Sequence, residues 1–319
     1  MLPHSSGPGT QLSALRTPAL SRPSITRYDT PVGDVSPLPE GAARATVCVL
    51  TGLDAGRIVP VERDAIVVGR AAEAELQVED VSVSRLHARI RRRAGTFFVE
   101  DMGSTNGTFL HSARVDVAPL ADGDHIQLGP QVLLRFALTR PADEQLQAHL
   151  YESSIRDALT RTYNRRYLHL RLALEVAHAR RHQAPLSALM LDVDRFKECN
   201  DRYGHFVGDR LLCFVALQLS KQLRAGDVLA RYGGDEFVVL GRDADLAEAL
   251  AAAERLRRAV GTLPLAAGGA PITITLSAGV GALSEIGAED RPEALLELVD
   301  RRLLSAKQAG RNRIVATEG

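Results

Sequence analysis

The rhythm of apolar positions changes along the chain. Over residues 45–139 they come as short runs (TVCVL, RIVPV, AIVVG, TFFVED, TFL, HIQLG, VLLRFAL), separated by turn residues such as Thr51-Gly52, Asp54-Ala55-Gly56, Asn106-Gly107 and Asp122-Gly123-Asp124. Many short strands at close spacing predict an all-β sandwich. After Pro141 the runs lengthen. ADEQLQAHLYESSIRDAL predicts a helical connector, assigned to residues 140–156, and NRRYLHLRLALEVAHARRHQ predicts a second helix. LSALMLDV predicts a short buried strand, GDRLLCFVALQLSKQLRAG a helix ended by Gly226, and VLARYGGDEFVVLG two strands folded back on each other. DLAEALAAAERLRRAVG predicts a helix ended by Gly261, and PITITLSAGVGAL a strand. RPEALLELVDRRLLSAKQAG predicts a helix with Pro292 near its start and Gly310 just past its end, and RNRIVA a last strand. The order β-α-β-β-α-β with extra helices predicts an α/β, ferredoxin-like domain over residues 157–319, with helices on one sheet face.

Residues 1–44 are rich in Pro, Ser, Thr and Gly and carry no sustained periodicity, which predicts a disordered tail. A chain of 319 residues suits a multidomain protein. Its 39 basic and 39 acidic side chains cancel, so the overall charge points to neither nucleic acid nor an anionic membrane. Cys48, Cys199 and Cys213 are too few and scattered for a disulfide framework or a zinc site. With no apolar run of membrane-spanning length and no secretory pattern, a cytoplasmic protein is expected.

The candidate chemistry sits at strand ends. In RYGGDEFVVL, Gly233-Gly234 offers a turn that another molecule can approach closely, and Asp235 and Glu236 are expected on that turn, outside the ladder. Asp192 and Asp194 stand at the end of the LSALML strand, where a carboxylate can leave the sheet and meet them. Clustered carboxylates of this kind hold hard cations such as Mg²⁺, with Mn²⁺ as the alternative ion, usually together with substrate phosphates. The residues alone therefore point to a metal-nucleotide site for phosphoryl-type transfer, although GGDE by itself is equally a solvated hairpin turn.

Four spaced segments carry a resemblance: DALTRTYNRR (157–166), DVDRFKECNDRYGHFVGD (192–209), RYGGDEF (231–237) and AKQAGRN (306–312). In order and spacing they resemble the GGDEF family of diguanylate cyclases, a palm-like fold that condenses two GTP into cyclic di-GMP between two paired domains. The resemblance implies Asp192, Asp235 and the Val193 carbonyl as metal ligands, and Glu236 and Lys307 beside them in the catalytic site. It implies Asn200 and Asp209 on the guanine edge, and Phe196, Lys197 and Arg311 along the phosphates. Asp194 is expected to cap the strand, and His205 to be structural. Arg224 and Asp227, an R-x-x-D ahead of GGDEF, imply an inhibitory site for the product, with Arg255 as a second contact. Where the family usually has Gly-Leu, this chain has Arg161-Thr162, which puts the shape of that turn in question.

The β segment carries a second resemblance. GR (69–70), VSVSRLHARI (81–90), VEDMGSTNGTFL (99–110) and LADGDHIQLG (120–129) resemble the forkhead-associated (FHA) domain, a sandwich that binds phosphothreonine peptides. It implies Arg70, Ser84 and Arg85 on the phosphate, and Thr105 and Asn106 on the peptide backbone. Thr10, Thr17, Thr26 and Thr30 make the tail a candidate self-ligand after phosphorylation, beside a partner's peptide. The expected reading is a homodimeric diguanylate cyclase under phosphothreonine control and product feedback. The alternatives are a non-catalytic cyclic di-GMP receptor, which degenerate signatures would mark, and a phosphothreonine adaptor.

Overall fold

The computed structural model describes residues 43–62, 65–224, 226–261, 265–267, 270–288 and 291–317. All but the last two residues of the expected tail lie outside them. The chain parts into two compact units, one built on Val61–Leu138 and one on Glu40–Pro60 with Thr139–Gly319.

The β-rich region has strands β1 (Arg44–Val49), β2 (Ile58–Pro60), β3 (Ala65–Gly69), β4 (Leu76–Gln77), β5 (Ala88–Arg93) and β6 (Thr96–Asp101). It continues with β7 (Thr108–Leu110), β8 (Ala113–Val115), β9 (Val117–Leu120), β10 (His125–Leu128) and β11 (Val132–Thr139). They form a six-stranded sheet, β2-β1-β11-β10-β7-β8, and a five-stranded one, β4-β3-β5-β6-β9. Alternation decides what faces inward. Ile66, Val68, Ile90, Val99, Ile126, Leu128, Leu134 and Phe136 are buried. Between them, Arg89, Arg91 and Arg93 share the Glu100 carboxylate on the opposite face of the second sheet. The expected sandwich pattern is present.

Helix α1 (Pro141–Ile155) opens with proline at its first turn and buries no side chain. Helix α2 (Arg165–His182) is capped by Asn164, whose side chain accepts from the Tyr167 N–H at 2.9 Å. Then come β12 (Leu186–Val193), α3 (Phe196–Tyr203), α4 (His205–Gln222), β13 (Val228–Arg231), β14 (Glu236–Arg242) and α5 (Leu246–Gly261). A hairpin of β15 (Leu265–Ala267) and β16 (Ala270–Ile272) precedes β17 (Leu276–Ala282), α6 (Glu293–Gln308) and β18 (Ile314–Val315). The sheet order is β13-β14-β12-β17-β18, antiparallel except for the last pair.

Four expectations need correction. Helices cover both sheet faces: Leu189, Leu191, Leu211, Val215, Leu256 and Val280 share one cluster, and Met190, Leu168, Leu172, Val238 and Val299 another. The extra helices α2 and α6 supply the second layer, which is why all eight residues of β12 are buried. Helix α4 ends at Gln222, and Leu223 is already extended, so Gly226 does not cap it. The PITITLSAGVGAL run divides into β16 and β17, and the short helix α3 was not anticipated. Glu236 begins β14 opposite Asp192, so it stands inside the ladder. No described helix is long and apolar enough to cross a membrane.

Asp194 ties the end of this sheet together. It is buried and accepts from Thr275 Oγ1 and Ser277 Oγ, each at 2.6 Å, and from the Asn312 N–H at 3.0 Å. Replacing it with Asn keeps the shape but leaves at least one of these donors facing an NH₂ group. Asp194→Asn should cost about 1–3 kcal/mol of stability, read as a lower denaturant midpoint with an unchanged slope.

Candidate active site

The end of β12 gathers the acidic residues. Asp192 is 7% exposed and stands in register with Glu236 across the β12–β14 ladder. The Val193 N–H donates to the Asp235 carbonyl at 3.2 Å, which draws the GGDE turn against the strand end. From α6, Lys307 Nζ donates to Asp192 Oδ2 at 2.7 Å. Burial lifts the Asp192 carboxyl to about 6; Lys307 pulls it back, and Asp235 and Glu236 push it further up. An ionised Asp192 is thus short of positive charge even with Lys307 in place.

The turn itself is clamped from outside. Arg231 donates from Nε and Nη2 to the Gly234 carbonyl (3.2 and 2.7 Å) and from Nη1 to Asp157 Oδ1 (3.1 Å). Asp157 also accepts from the Thr160 N–H and hydroxyl, both at 2.8 Å. Burial opposes ionisation of Asp157, but Thr160 and Arg231 outweigh it and hold its pKa below the ordinary value. Arg231 was not anticipated as a site residue, although its position beside Gly233-Gly234 is the signal that could have found it. A Cβ on Gly233 would lie 2.6 Å from Glu236 Oε2, so a larger residue there would make the Glu236 carboxylate shift.

Helices α3 and α4 form the neighbouring wall. Phe196 and Lys197 open α3 after Arg195, whose φ of 59° turns the chain sharply off the strand. Asn200 Oδ1 is buried and has no hydrogen-bond partner among the described residues. A Cβ on Gly208 would lie 1.8 Å from it, so only glycine lets α4 approach. A buried acceptor left unpaired costs free energy, and a ligand N–H would recover it. Asp209 is exposed on α4, four residues after the helix begins at His205. Arg311 is exposed too, in a left-handed turn with φ 64°. His205 begins α4 and is exposed.

Arg224, Asp227 and Arg255 line one cavity of about 130 Å³. The Arg224 N–H donates to Asp227 Oδ2 at 2.9 Å, and Arg255 Nη2 donates to the Gln222 carbonyl at 3.1 Å. Glu248 joins them, 4.0 Å from Arg224 Nη2. It was missed because an acid in the first turn of a helix reads as a capping residue, and it is one, accepting from the Asp245 N–H at 3.2 Å.

In the sandwich, His87 links the two loops expected to hold a peptide. It is fully buried, accepts from the Ser84 N–H at Nδ1 (3.0 Å) and donates from Nε2 to the Gly107 carbonyl (3.2 Å). Burial lowers its pKa, with Gly107 and Asp101 partly opposing, so the ring is neutral in this tautomer. Ser84 Oγ accepts from the Thr105 N–H at 3.0 Å, and Asn106 Nδ2 donates to the Ser82 carbonyl at 2.8 Å. Arg70 Nε reaches the Val83 carbonyl at 3.4 Å, and Arg85 faces Glu73 at 3.8 Å in open solvent. Ser84, Arg85, Thr105 and Asn106 therefore lie on the loops that His87 joins, and Arg70, just past β3, reaches the first of them at the Val83 carbonyl.

An α/β sheet with carboxylates at the end of its central strand, in a chain that also carries a β sandwich, is the class the geometry defines. A family model for the diguanylate cyclase GGDEF domain matches residues 154–313, and one for the FHA domain matches residues 66–129. The chain belongs to the GGDEF diguanylate cyclase family. It is 43% identical to the response regulator PleD of Caulobacter vibrioides over 169 residues, 52% of this chain and 37% of that protein. It is 43% identical to the diguanylate cyclase DosC of Escherichia coli K12 over 159 residues, 50% of this chain and 34% of that one. The chain thus spans about a third of the length of these curated relatives. A crystal structure of the coiled coil and GGDEF domain of DgcB from Caulobacter crescentus, in complex with c-di-GMP, superposes with a TM-score of 0.51. It shares 26% identity and covers 55% of this chain and 94% of that one.

The Asp192 pKa fixes a sign. Its folded value of about 6 lies above the ordinary 3.8, so the folded state holds this proton more tightly than the unfolded chain does. Its stabilising contribution is complete below the unfolded value and is lost as pH rises through about 6. Denaturant midpoints should therefore carry a component that falls across this window, and Asp192→Asn should remove that component.

Proposed function

We propose that this chain condenses two GTP into cyclic di-GMP, releasing two pyrophosphates. The observation that carries the reading is the buried Asp192 carboxylate, paired in register with Glu236 and bridged to Lys307. Among the described residues no group of three or more carboxylate, imidazole or thiol ligands is gathered. That suits an ion held by one or two carboxylates and completed by substrate phosphates, and a cation would offset the burial of Asp192 and the repulsion from Asp235 and Glu236 that raise its pKa. Asp192 and Asp235, with the Val193 carbonyl, would hold Mg²⁺ or Mn²⁺. When bound, the ion draws charge from the phosphates and favours attack at the α-phosphorus.

The chain's own residues supply position and charge. Asn200 Oδ1, left without a donor in the protein, accepts from a guanine N–H, and Asp209 accepts from the same edge. The N–H groups opening α3 at Phe196 and Lys197 face phosphate oxygens, and Lys307 and Arg311 neutralise them. Glu236 takes the proton of the attacking 3′-hydroxyl. Each condensation forms one P–O bond to the other GTP's α-phosphate and breaks its bond to pyrophosphate. Two chains must face each other to align both attacks, so the active form is a homodimer, and positioning supplies much of the rate. The sandwich takes phosphothreonine on Arg70, Ser84 and Arg85, with Thr105 and Asn106 on the peptide. The cavity of Arg224, Asp227 and Arg255 takes the product as feedback inhibitor.

Purified chain incubated with GTP and Mg²⁺ should yield cyclic di-GMP by chromatography, and Asp235→Ala should yield none. Absence of product with both unphosphorylated and phosphorylated peptide present would remove the enzymatic reading and leave the receptor. Gly208→Ala, which must displace Asn200, should weaken GTP binding by about tenfold or more, one lost buried hydrogen bond's worth. Equilibrium binding that stays at the wild-type level would remove Asn200 from the guanine edge.

A further inference from the structure

Lys307 is fixed by Asp192, but the Arg311 guanidinium makes no hydrogen bond or ion pair among the described residues. Its direction is therefore set by the backbone that carries it. Arg311 and Asn312 are consecutive left-handed residues, with φ of 64° and 47°. Residues other than glycine hold that conformation where their surroundings over-determine it. The Arg311 N–H donates to the Ala306 carbonyl at 3.1 Å, and the Arg311 carbonyl accepts from Arg313 Nε at 3.2 Å. Asp194 takes the Asn312 N–H. A further grip comes from α5, where Arg257 Nη1 donates to Asn312 Oδ1 at 2.5 Å.

Arg257 is itself well anchored. Its Nε and Nη2 donate to Glu254 Oε2 and Oε1, both at 2.8 Å, one turn back on the same helix. Arg258 Nε donates to the same carboxylate at 2.6 Å. Hydrogen bonds from Arg257, and then from Arg258, hold the Glu254 carboxyl down to about 2. The helix beneath is fixed too. Ala249, Ala253, Leu256 and Val260 are buried in the cluster against which Ile314, two residues past Asn312, also packs. An ion pair on a helix surface stabilises little by itself. A guanidinium is rigid and planar, however, so with Nε and Nη2 on Glu254 its Nη1 is aimed at a fixed point. Asn312, 55 residues further along the chain, stands there.

We propose that Arg257 is a positioning residue for the triphosphate: it fixes Asn312 from α5 and so aims Arg311, without touching substrate itself. This rests on the reading of Arg311 as a phosphate-binding group. Asp194 pins the backbone of the turn and Arg257 pins its side chain, so the turn is held from the sheet and from a helix that contributes no group to the catalytic site. Without Arg257 the grip of Asp194 remains. The turn then stays folded but is free to swing, and the loss falls on the contact Arg311 makes with phosphate. A charge-assisted hydrogen bond depends on its geometry, and misplacement by about 1 Å is enough to weaken it.

The test uses the full chain and, with Mg²⁺, a GTP analogue whose α- and β-phosphorus are joined by a methylene, so that no pyrophosphate can leave. Binding is followed by calorimetry for wild type, Arg257→Met, Arg311→Ala and the double variant. Arg257→Met keeps an apolar stem on α5 and leaves Glu254 to Arg258. It should hold the analogue about three- to tenfold more weakly than wild type, the worth of one solvent-touched charge pair. The double variant should bind no more weakly than Arg311→Ala alone, because Arg257 acts through Arg311. Asn312→Gly, which keeps the left-handed turn and removes the acceptor, should reproduce the loss seen in Arg257→Met. Wild-type affinity in Arg257→Met or in Asn312→Gly overturns the assignment. So does a loss that is the same with and without Arg311, which is what a merely structural role produces. No binding of the analogue by wild type overturns the nucleotide reading, and the assignment with it.

Discussion

A carboxylate is placed where water is scarce, and the C-terminal unit is arranged around that fact. Helices on both faces make β12 buried along its whole length, so Asp192 at its end ionises in a medium of low polarity, opposite another acid. Lys307 brings α6 onto the strand end to supply charge. Two residues on, Asp194 captures the Asn312 N–H, so the two aspartates hold both ends of the segment that carries Arg311. The left-handed backbone at Arg311 and Asn312 is sustained by this grip. Lys307 of α6 and Arg311 beyond its end are thus positioned by these two aspartates.

The sandwich solves a different problem with a neutral group. The Ser84 and Gly107 loops are held together without a regular ladder between them. A buried imidazole with one nitrogen accepting and one donating can bridge two backbones, provided it never becomes charged. Desolvation keeps His87 neutral, and Asp101 fastens the adjoining turn through Ser104 and Thr108. Burial opposes ionisation of Asp101, but those hydrogen bonds prevail and its pKa stays low.

What was legible in the sequence follows from the range of the forces involved. Strand and helix periods are local, so β12, β13, β14, α5 and α6 could be read with their motifs in place. Which faces a helix covers is not local, and α2 and α6 closed a sheet face expected to be open. Glu236 entered the ladder because strand pairing with Asp192 prevailed over the turn that Gly233-Gly234 suggested. The break between β16 and β17 lies within one continuous β-branched run, which alternation alone does not divide. Asn200 could be named by resemblance, but its orphaned oxygen becomes visible only when Gly208 is seen against it. The pairing of Arg231 with Asp157 and of Glu248 with Arg224 joins residues distant in sequence, and no local pattern marks such pairs.

The Arg231 clamp shows how these layers join. Asp157 lies two residues beyond the end of α1, and Arg231 carries its position directly to the Gly234 carbonyl. The bond to Asp157 is charge-assisted, so displacing Asp157 shifts the guanidinium that holds the turn. Asp235 and Glu236 follow that turn, and Val193 holds it to β12. A shift at the foot of the connector helix is therefore mechanically a shift at the acidic site. Under the proposed condensation, which waits on the alignment of two loaded domains, small displacements of this kind govern the rate more strongly than the acidity of any one group.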